Sequence, residues 1–293
     1  MRLLIIGCGD IGCRTLKRLG HYQRIYALAR TGGRAKALRD LGVTPIMGDL
    51  DYPKSLGRLA GLANHVLHLA PPQNSGIQDK RTKNLLAALN KSIILPQRLI
   101  YISTSGVYGD CQGRWVAESE KIWPRNARAV RRADAEKRLR QWGRFHGVGV
   151  SILRVPGIYA DERLPIERLK KGVPAVCEAE DSYSNHIHAE DLARVLVAAL
   201  QRGRPNRIYN VCDNLPIKMG DYFDLVADYF HLPRAPRLSK AETLEKISPA
   251  LASFLNESRR LSNKRMRKEL RVHLSYESVA SYFRELNQHQ RAG

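Results

Sequence analysis

Residues 1–12 read MRLLIIGCGDIG. The apolar run Leu3-Leu4-Ile5-Ile6 leads into Gly7-Cys8-Gly9-Asp10-Ile11-Gly12, a G-x-G-x-x-G turn. Such a run is too short for a helix and fits a parallel strand buried on both faces. Cys13 to Leu19 then carries apolar residues at helical spacing and stops at Gly20. Strand, glycine turn and helix, in that order, form the context in which this motif binds a dinucleotide. One glycine makes the turn, the second lets a pyrophosphate approach the backbone, and the third lets helix pack on strand. Gly7, Gly9, Asp10, Ile11 and Gly12 are therefore expected to cradle phosphates, with free N–H groups of the first helical turn as donors. Cys8 reads as a small residue that fits the turn.

The next strand, Arg24 to Arg30, ends in a basic residue. A site that prefers NAD places Asp or Glu about 20 residues past the glycines to hold a ribose hydroxyl. Here Arg30 and Thr31 stand at that strand end, with Arg34 close behind. A guanidinium suits a 2′-phosphate better than a bare hydroxyl, so NADP is expected over NAD. Further apolar runs follow at Val43–Met47, His65–Ala70 and Arg98–Ile102. Segments of helical character separate them, at Arg34–Leu41, Ser55–Leu62 and Thr82–Lys91. Asp49 and Leu50, past the third run, are placed for an adenine edge. Leu69 and Ala70, past the fourth, are placed for the central ribose region, because ligands lie outside the carboxyl ends of such strands. The alternation predicts an α/β fold, a Rossmann-type doubly wound parallel sheet.

Hydroxyls crowd the segment after the fifth strand, Ser103-Thr104-Ser105-Gly106-Val107-Tyr108-Gly109-Asp110. With the glycine turn, this segment resembles the extended short-chain dehydrogenase/reductases, the NAD(P)-dependent epimerase/dehydratase group. It is similar to that family's S/T-x-x-V-Y-G element, whose hydroxyl bonds the reacting oxygen of the substrate. The match implies that role for Thr104. Arg154-Val155-Pro156-Gly157-Ile158-Tyr159 resembles the family's sixth strand and the loop beside the nicotinamide, which implies cofactor contact at Pro156. Ile187-His188-Ala189-Glu190-Asp191-Leu192-Ala193 resembles its I-H-x-x-D-L-A helix start, and Tyr209-Asn210-Val211 its Y-N-V strand. The resemblance implies an oxidoreductase or epimerase acting on a polar small molecule.

One feature of the family is missing. Its catalytic pair is Tyr-x-x-x-Lys, the tyrosine moving a proton and the lysine holding the ribose. None of the twelve tyrosines has Lys four residues later. Counting back from Glu136 puts Arg128 at the Tyr position and Arg132 at the Lys position. A guanidinium is not a general acid or base near neutral pH, although Arg132 could hold a ribose or a phosphate. Tyr108 and Tyr159 are the remaining hydroxyls near the expected site, and Tyr108 is carried forward with Thr104 as a candidate catalytic residue. The departure also admits a non-catalytic NADP-binding sensor that acts on a protein partner, as the related nitrogen-repression regulators do. Asp134 and Glu136 are expected to pair with Arg138 and Arg140 one helical turn on.

Residues 1–160 are expected to form the dinucleotide-binding core. Residues 161–293 are expected to interleave with it and build a smaller substrate-side lobe, with helices at Leu164–Lys171, Leu192–Gln201, Met219–Phe230, Pro249–Leu255, Lys264–Leu270 and Tyr276–Leu286. The 293 residues carry a net charge of +21 and are 43% hydrophobic, which argues for a folded chain with affinity for anions. Nine basic residues fall between Lys121 and Arg144, and seven between Arg259 and Arg271. Neither run is interleaved with stacking aromatics, so nucleic acid is not the expected partner. No apolar stretch approaches the roughly 18 residues of a membrane span. The N-terminus reads as a strand, not a secretory leader, and the five cysteines include no C-x-x-C pair; a cytoplasmic location is expected. His186-x-His188 offers only two of the ligands a metal needs, and no metal is expected.

Overall fold

The computed structural model describes residues 1–248, 251–252 and 255–292. Seven strands form the central sheet: β1 (Arg2–Ile6), β2 (Arg24–Ala29), β3 (Thr44–Met47), β4 (His65–His68), β5 (Arg98–Thr104), β6 (Gly149–Val155) and β7 (Arg207–Asn210). Their order is 3-2-1-4-5-6-7 and every pairing is parallel. This is the doubly wound Rossmann-type sheet the alternation predicts. The order reverses between β1 and β4, the switch point at whose carboxyl ends such folds bind ligands.

Leu3, Leu4, Ile5 and Ile6 are all fully buried. Leu3 and Ile5 pack in one apolar cluster and Leu4 and Ile6 in another. Alternate side chains point to opposite faces, and both faces are covered. Each such burial stabilises the fold by roughly 1.5–3 kcal/mol. Helices α1 (Asp10–Leu16) and α2 (Gly32–Asp40) cover the first face. The second is covered by α3 (Lys80–Leu89), the 20-residue α4 (Ala127–His146) and a 3-10 turn at Pro53–Leu59. That turn replaces the helix expected at Ser55–Leu62. Asn126 caps α4, its Oδ1 accepting from the Ala129 N–H at 2.9 Å, and Gly147 in a left-handed conformation ends it.

The C-terminal part returns to the sheet before building its own lobe. The helix Ala189–Arg202 packs on the first face, against α1 and β5, and β7 closes the sheet edge. Helices Ile166–Lys170, Met219–Tyr229 and Val279–Ala292 gather around Tyr222, Phe223, Val226, Tyr282 and Phe283. The last of these helices starts at Val279, later than the expected Tyr276; before it, Ser275 and Tyr276 give their N–H groups to the buried Asp191 carboxylate. The helix expected at Pro249–Leu255 falls partly at positions 249, 250, 253 and 254, outside the described residues. Among the described residues no helix is long and apolar enough to cross a membrane.

Candidate active site and dinucleotide crevice

The three glycines of the turn have separable roles. Gly7 has φ +86°, and a Cβ there would lie 2.5 Å from the Ala70 backbone nitrogen. Ala70 and Leu69 are themselves fixed by N–H bonds of 3.0 and 2.8 Å to the Ile6 carbonyl. A Cβ on Gly12 would lie 3.0 Å from Cys8 Sγ. Gly7 and Gly12 are thus closed in by the chain. Gly9 differs: a Cβ there would meet nothing within 4 Å. The open side of the turn is at Gly9, the position where the motif needs room for a pyrophosphate.

The surrounding side chains tie the turn to the rest of the molecule. The Asp10 carboxylate accepts from Arg14 through one oxygen and from Arg163 through the other, each at 2.8 Å. Ile11 is half-buried behind it. Arg34 does not join Arg30; its guanidinium donates to the Cys8 carbonyl and lies 3.3 Å from Cys13 Sγ, against the turn. Arg30 is exposed at the end of β2, and the Thr31 hydroxyl caps α2 by accepting from the Arg34 N–H. Asp49 Oδ1 accepts from the Asp51 N–H at 2.9 Å, and the buried Leu50 holds Asn84 through its carbonyl. Gly7 to Gly12, Arg30, Thr31, Asp49, Leu50, Leu69 and Ala70 therefore fall along the carboxyl edge of β1 to β4, as predicted.

A cavity of about 770 Å³ continues this edge past β5 and β6, between the sheet and the C-terminal lobe. Thr104 and Pro156 line it. Thr104 Oγ1 accepts from the Gly106 N–H at 3.2 Å, an ST-turn that orients the hydroxyl. Arg132 reaches the same strand end from α4, donating to the Ile102 carbonyl at 2.6 Å and to the Tyr101 hydroxyl at 3.0 Å.

Tyr108 is not brought to the cavity. It is buried, its hydroxyl donates to Asn210 Oδ1 at 2.7 Å, and its ring stacks against the Arg154 guanidinium. Burial pushes its hydroxyl up to about 12. The expectation of a proton donor at Tyr108 is corrected to a packing residue. Tyr159 is buried as well, among His186, His188 and Tyr282.

The cavity's charge carries no local signal in the sequence. Four arginines line it, Arg128, Arg163, Arg168 and Arg259, against one carboxylate, Glu257. Glu257 Oε2 accepts from Arg259 at 2.8 Å. Arg168 stacks on Phe223, with its guanidinium carbon 4.2 Å from the ring centre, and burial lowers its pKa to about 10. The Nε atoms of Arg168 and Arg259 are buried without a hydrogen-bond partner among the described residues. Buried N–H groups left unpaired point to an acceptor brought by a ligand. On another wall, His186 Nε2 lies 3.2 Å from Ser184 Oγ. Burial lowers His186 to about 4, so it is neutral near pH 7. No local motif marks Arg168 or Arg259: Arg168 is set by Phe223 and the Pro174 carbonyl, and Arg259 by Glu257 and the Gly109 carbonyl.

Sheet order, glycine turn and cavity together define a nucleotide-binding α/β protein of the Rossmann class. The family model for the NAD dependent epimerase/dehydratase family matches residues 3–212, and the chain belongs to that family. It is 30% identical over 208 residues to a GDP-6-deoxy-D-mannose reductase of Pseudomonas aeruginosa, covering 61% of this chain and 68% of that protein. A human dTDP-D-glucose 4,6-dehydratase is 25% identical over 131 residues, 42% of this chain and 37% of that protein. A solved structure of a functionally unknown conserved protein from Silicibacter pomeroyi DSS superposes with a TM-score of 0.78 at 26% identity, over 99% of both chains. A dTDP-glucose 4,6-dehydratase from Streptomyces venezuelae, solved with NAD bound, shares the fold with a TM-score of 0.77 at 19% identity, over 99% of this chain and 97% of that one.

Proposed function

We propose that this chain is an NADP-dependent oxidoreductase or epimerase acting on a polar, anionic small molecule. The observation that carries this reading is an arginine-lined cavity beside Thr104, tied to the glycine turn by one side chain. Arg163 links the two, lining the cavity and bonding Asp10 in the turn. The turn would hold the pyrophosphate, and Arg30 with Thr31 the 2′-phosphate. NADP, when bound, would supply hydride chemistry. Thr104 would bond the reacting oxygen, and Arg168 and Arg259 would hold the substrate's negative charge away from water. Arg132, already fixed to the end of β5, would face the ribose.

A second reading is an NADP-binding regulatory protein that acts on a protein partner without turnover. It is favoured by Arg128 and Arg132, which stand where the family's tyrosine and lysine are expected. Burial and the neighbouring Arg132 lower the Arg128 pKa, yet an arginine remains a poor proton donor near neutral pH. The chain is expected to work in the cytoplasm under either reading.

Calorimetric titration of nucleotide-stripped protein with NADP, NADPH, NAD and NADH tests the shared part. Tight binding of the phosphorylated pair and weak binding of the others is expected. Equal binding of all four removes the role given to Arg30, and binding of none removes the cofactor assignment. Single-turnover oxidation of bound NADPH by anionic carbonyl compounds then separates enzyme from sensor.

A further inference from the structure

A second cleft, of about 640 Å³, lies away from the first, between α4 and the sheet edge at β7. Six basic residues line it: Lys137, Arg140 and Arg144 from α4, Arg154 from β6, Arg207 from β7, and Arg265. Three carboxylates share it, Glu118, Glu120 and Glu136, and each is already engaged. Glu136 chelates Arg154 at 3.1 and 2.7 Å and accepts from Ser103 at 2.6 Å. Glu118 accepts from the Asn210 N–H at 3.0 Å and lies 3.5 Å from Arg265. Glu120 lies 3.8 Å from Arg114. Arg207 is taken by Glu269, outside the cleft.

This pairing leaves charge over. The sequence predicts a Glu136–Arg140 pair, but Glu136 turns inward to Arg154, and Arg140 has no carboxylate partner among the described residues. Lys137 and Arg144 have none either. Residues 137, 140 and 144 are spaced i, i+3 and i+7, on one face of the helix. They span about 10 Å along its axis, at roughly 1.5 Å per residue. Two buried donors in the lining, Arg140 Nε and Arg154 Nη1, have no hydrogen-bond partner among the described residues. Arg154 is only 3% exposed, with its guanidinium against the Tyr108 ring, so bulk water does not reach its Nη1. An unpaired buried guanidinium N–H is costly unless an acceptor arrives from outside.

We infer that this cleft is a binding site for a phosphorylated anion of pyrophosphate size, separate from the dinucleotide crevice. Phosphate oxygens meet the requirement of several charge-assisted donors at once, in the fork geometry that arginine offers. The volume and the spread of charge along α4 exceed what a single chloride or carboxylate would use.

The test uses the full-length protein saturated with NADP and inorganic pyrophosphate as probe. Lys137 is the one lysine in the cleft lining. Its acetylation rate by acetic anhydride, followed by mass spectrometry, reports occupancy at this place alone. Pyrophosphate is expected to protect Lys137. Arg140→Gln should raise the concentration needed by about tenfold, the loss of one charge-assisted hydrogen bond. Arg144→Gln should act in the same direction, and serves if Arg140→Gln does not fold. Arg168→Gln, in the other cavity, should leave protection unchanged. Unprotected Lys137 at millimolar pyrophosphate overturns the proposal, as does equal protection in the wild type and both cleft variants. Protection by a single-stranded oligonucleotide but not by pyrophosphate overturns it in favour of nucleic acid.

Discussion

The Tyr108 hydroxyl donates to Asn210 Oδ1 across 2.7 Å, joining the segment after β5 to the last strand of the sheet. Asn210 is fully buried and its amide also donates to the Val116 carbonyl at 3.1 Å. Tyr108→Phe would leave a buried acceptor unpaired, at a cost of about 1–3 kcal/mol. Thermal unfolding should show the loss. Nucleotide binding should not change, since the ring keeps its place; a selective loss of turnover instead would return Tyr108 to the chemistry.

The glycines of the turn should fail in different ways. Gly9 has φ −88° and open space around its Cβ direction, so Gly9→Val should fold normally and lose dinucleotide binding. Gly7→Ala has no such freedom, with φ +86° and the Ala70 backbone in contact. It should lower stability by at least about 1–3 kcal/mol. Circular dichroism melts beside calorimetry distinguish the two.

Arg30→Asp should weaken NADP far more than NAD. A carboxylate there repels a 2′-phosphate and accepts a bond from a ribose hydroxyl. A tenfold or larger change in the NADP to NAD affinity ratio is expected, or about 1.4 kcal/mol. Equal weakening of both would place the 2′-phosphate elsewhere.

Thr104→Val keeps the shape of the side chain and removes its hydroxyl. Any NADPH-linked turnover should fall by about 10²–10³, the usual effect of deleting one donor at a developing oxyanion. Stability should fall by about 1 kcal/mol, because the Gly106 N–H loses its acceptor. A rate unchanged from wild type excludes Thr104 from the reaction.

His68 is fully buried, with Nε2 2.9 Å from Thr82 Oγ1, and burial with the nearby Arg132 lowers its pKa from 6.5 to about 3. Below pH 6.5 the unfolded chain takes up a proton there that the folded chain refuses. Stability from this residue is therefore intact above pH 6.5 and declines as pH falls toward 3, by up to ~1.4 kcal/mol per pH unit. His68→Asn removes that slope. Denaturant melts of both proteins between pH 7.5 and 5 should converge as pH falls, and parallel curves would contradict the shift.

The dinucleotide half was legible because its signals are local. Leu3 to Ile6 fits a buried strand better than a helix, and the glycines after it fit a turn. Arg30 was placed by counting along the same unit. The ion pairs were half legible. Asp134 pairs with Arg138 at 2.7 Å as helical spacing requires. Glu136, two residues on, points under the helix where Arg154 waits, and spacing along one helix does not reveal a partner on a strand.

The sequence by itself determined the strand–turn–helix order, the parallel sheet and the place of the crevice, because hydrophobic period and glycine position act within a few residues. Only the tertiary structure decided which hydroxyls and guanidinium groups share a cavity. It buried Tyr108, four residues from Thr104, and brought Arg168 and Arg259, distant in sequence, to line one cavity with Thr104. Such meetings depend on how layers pack over long chain separations, and no local spacing encodes them.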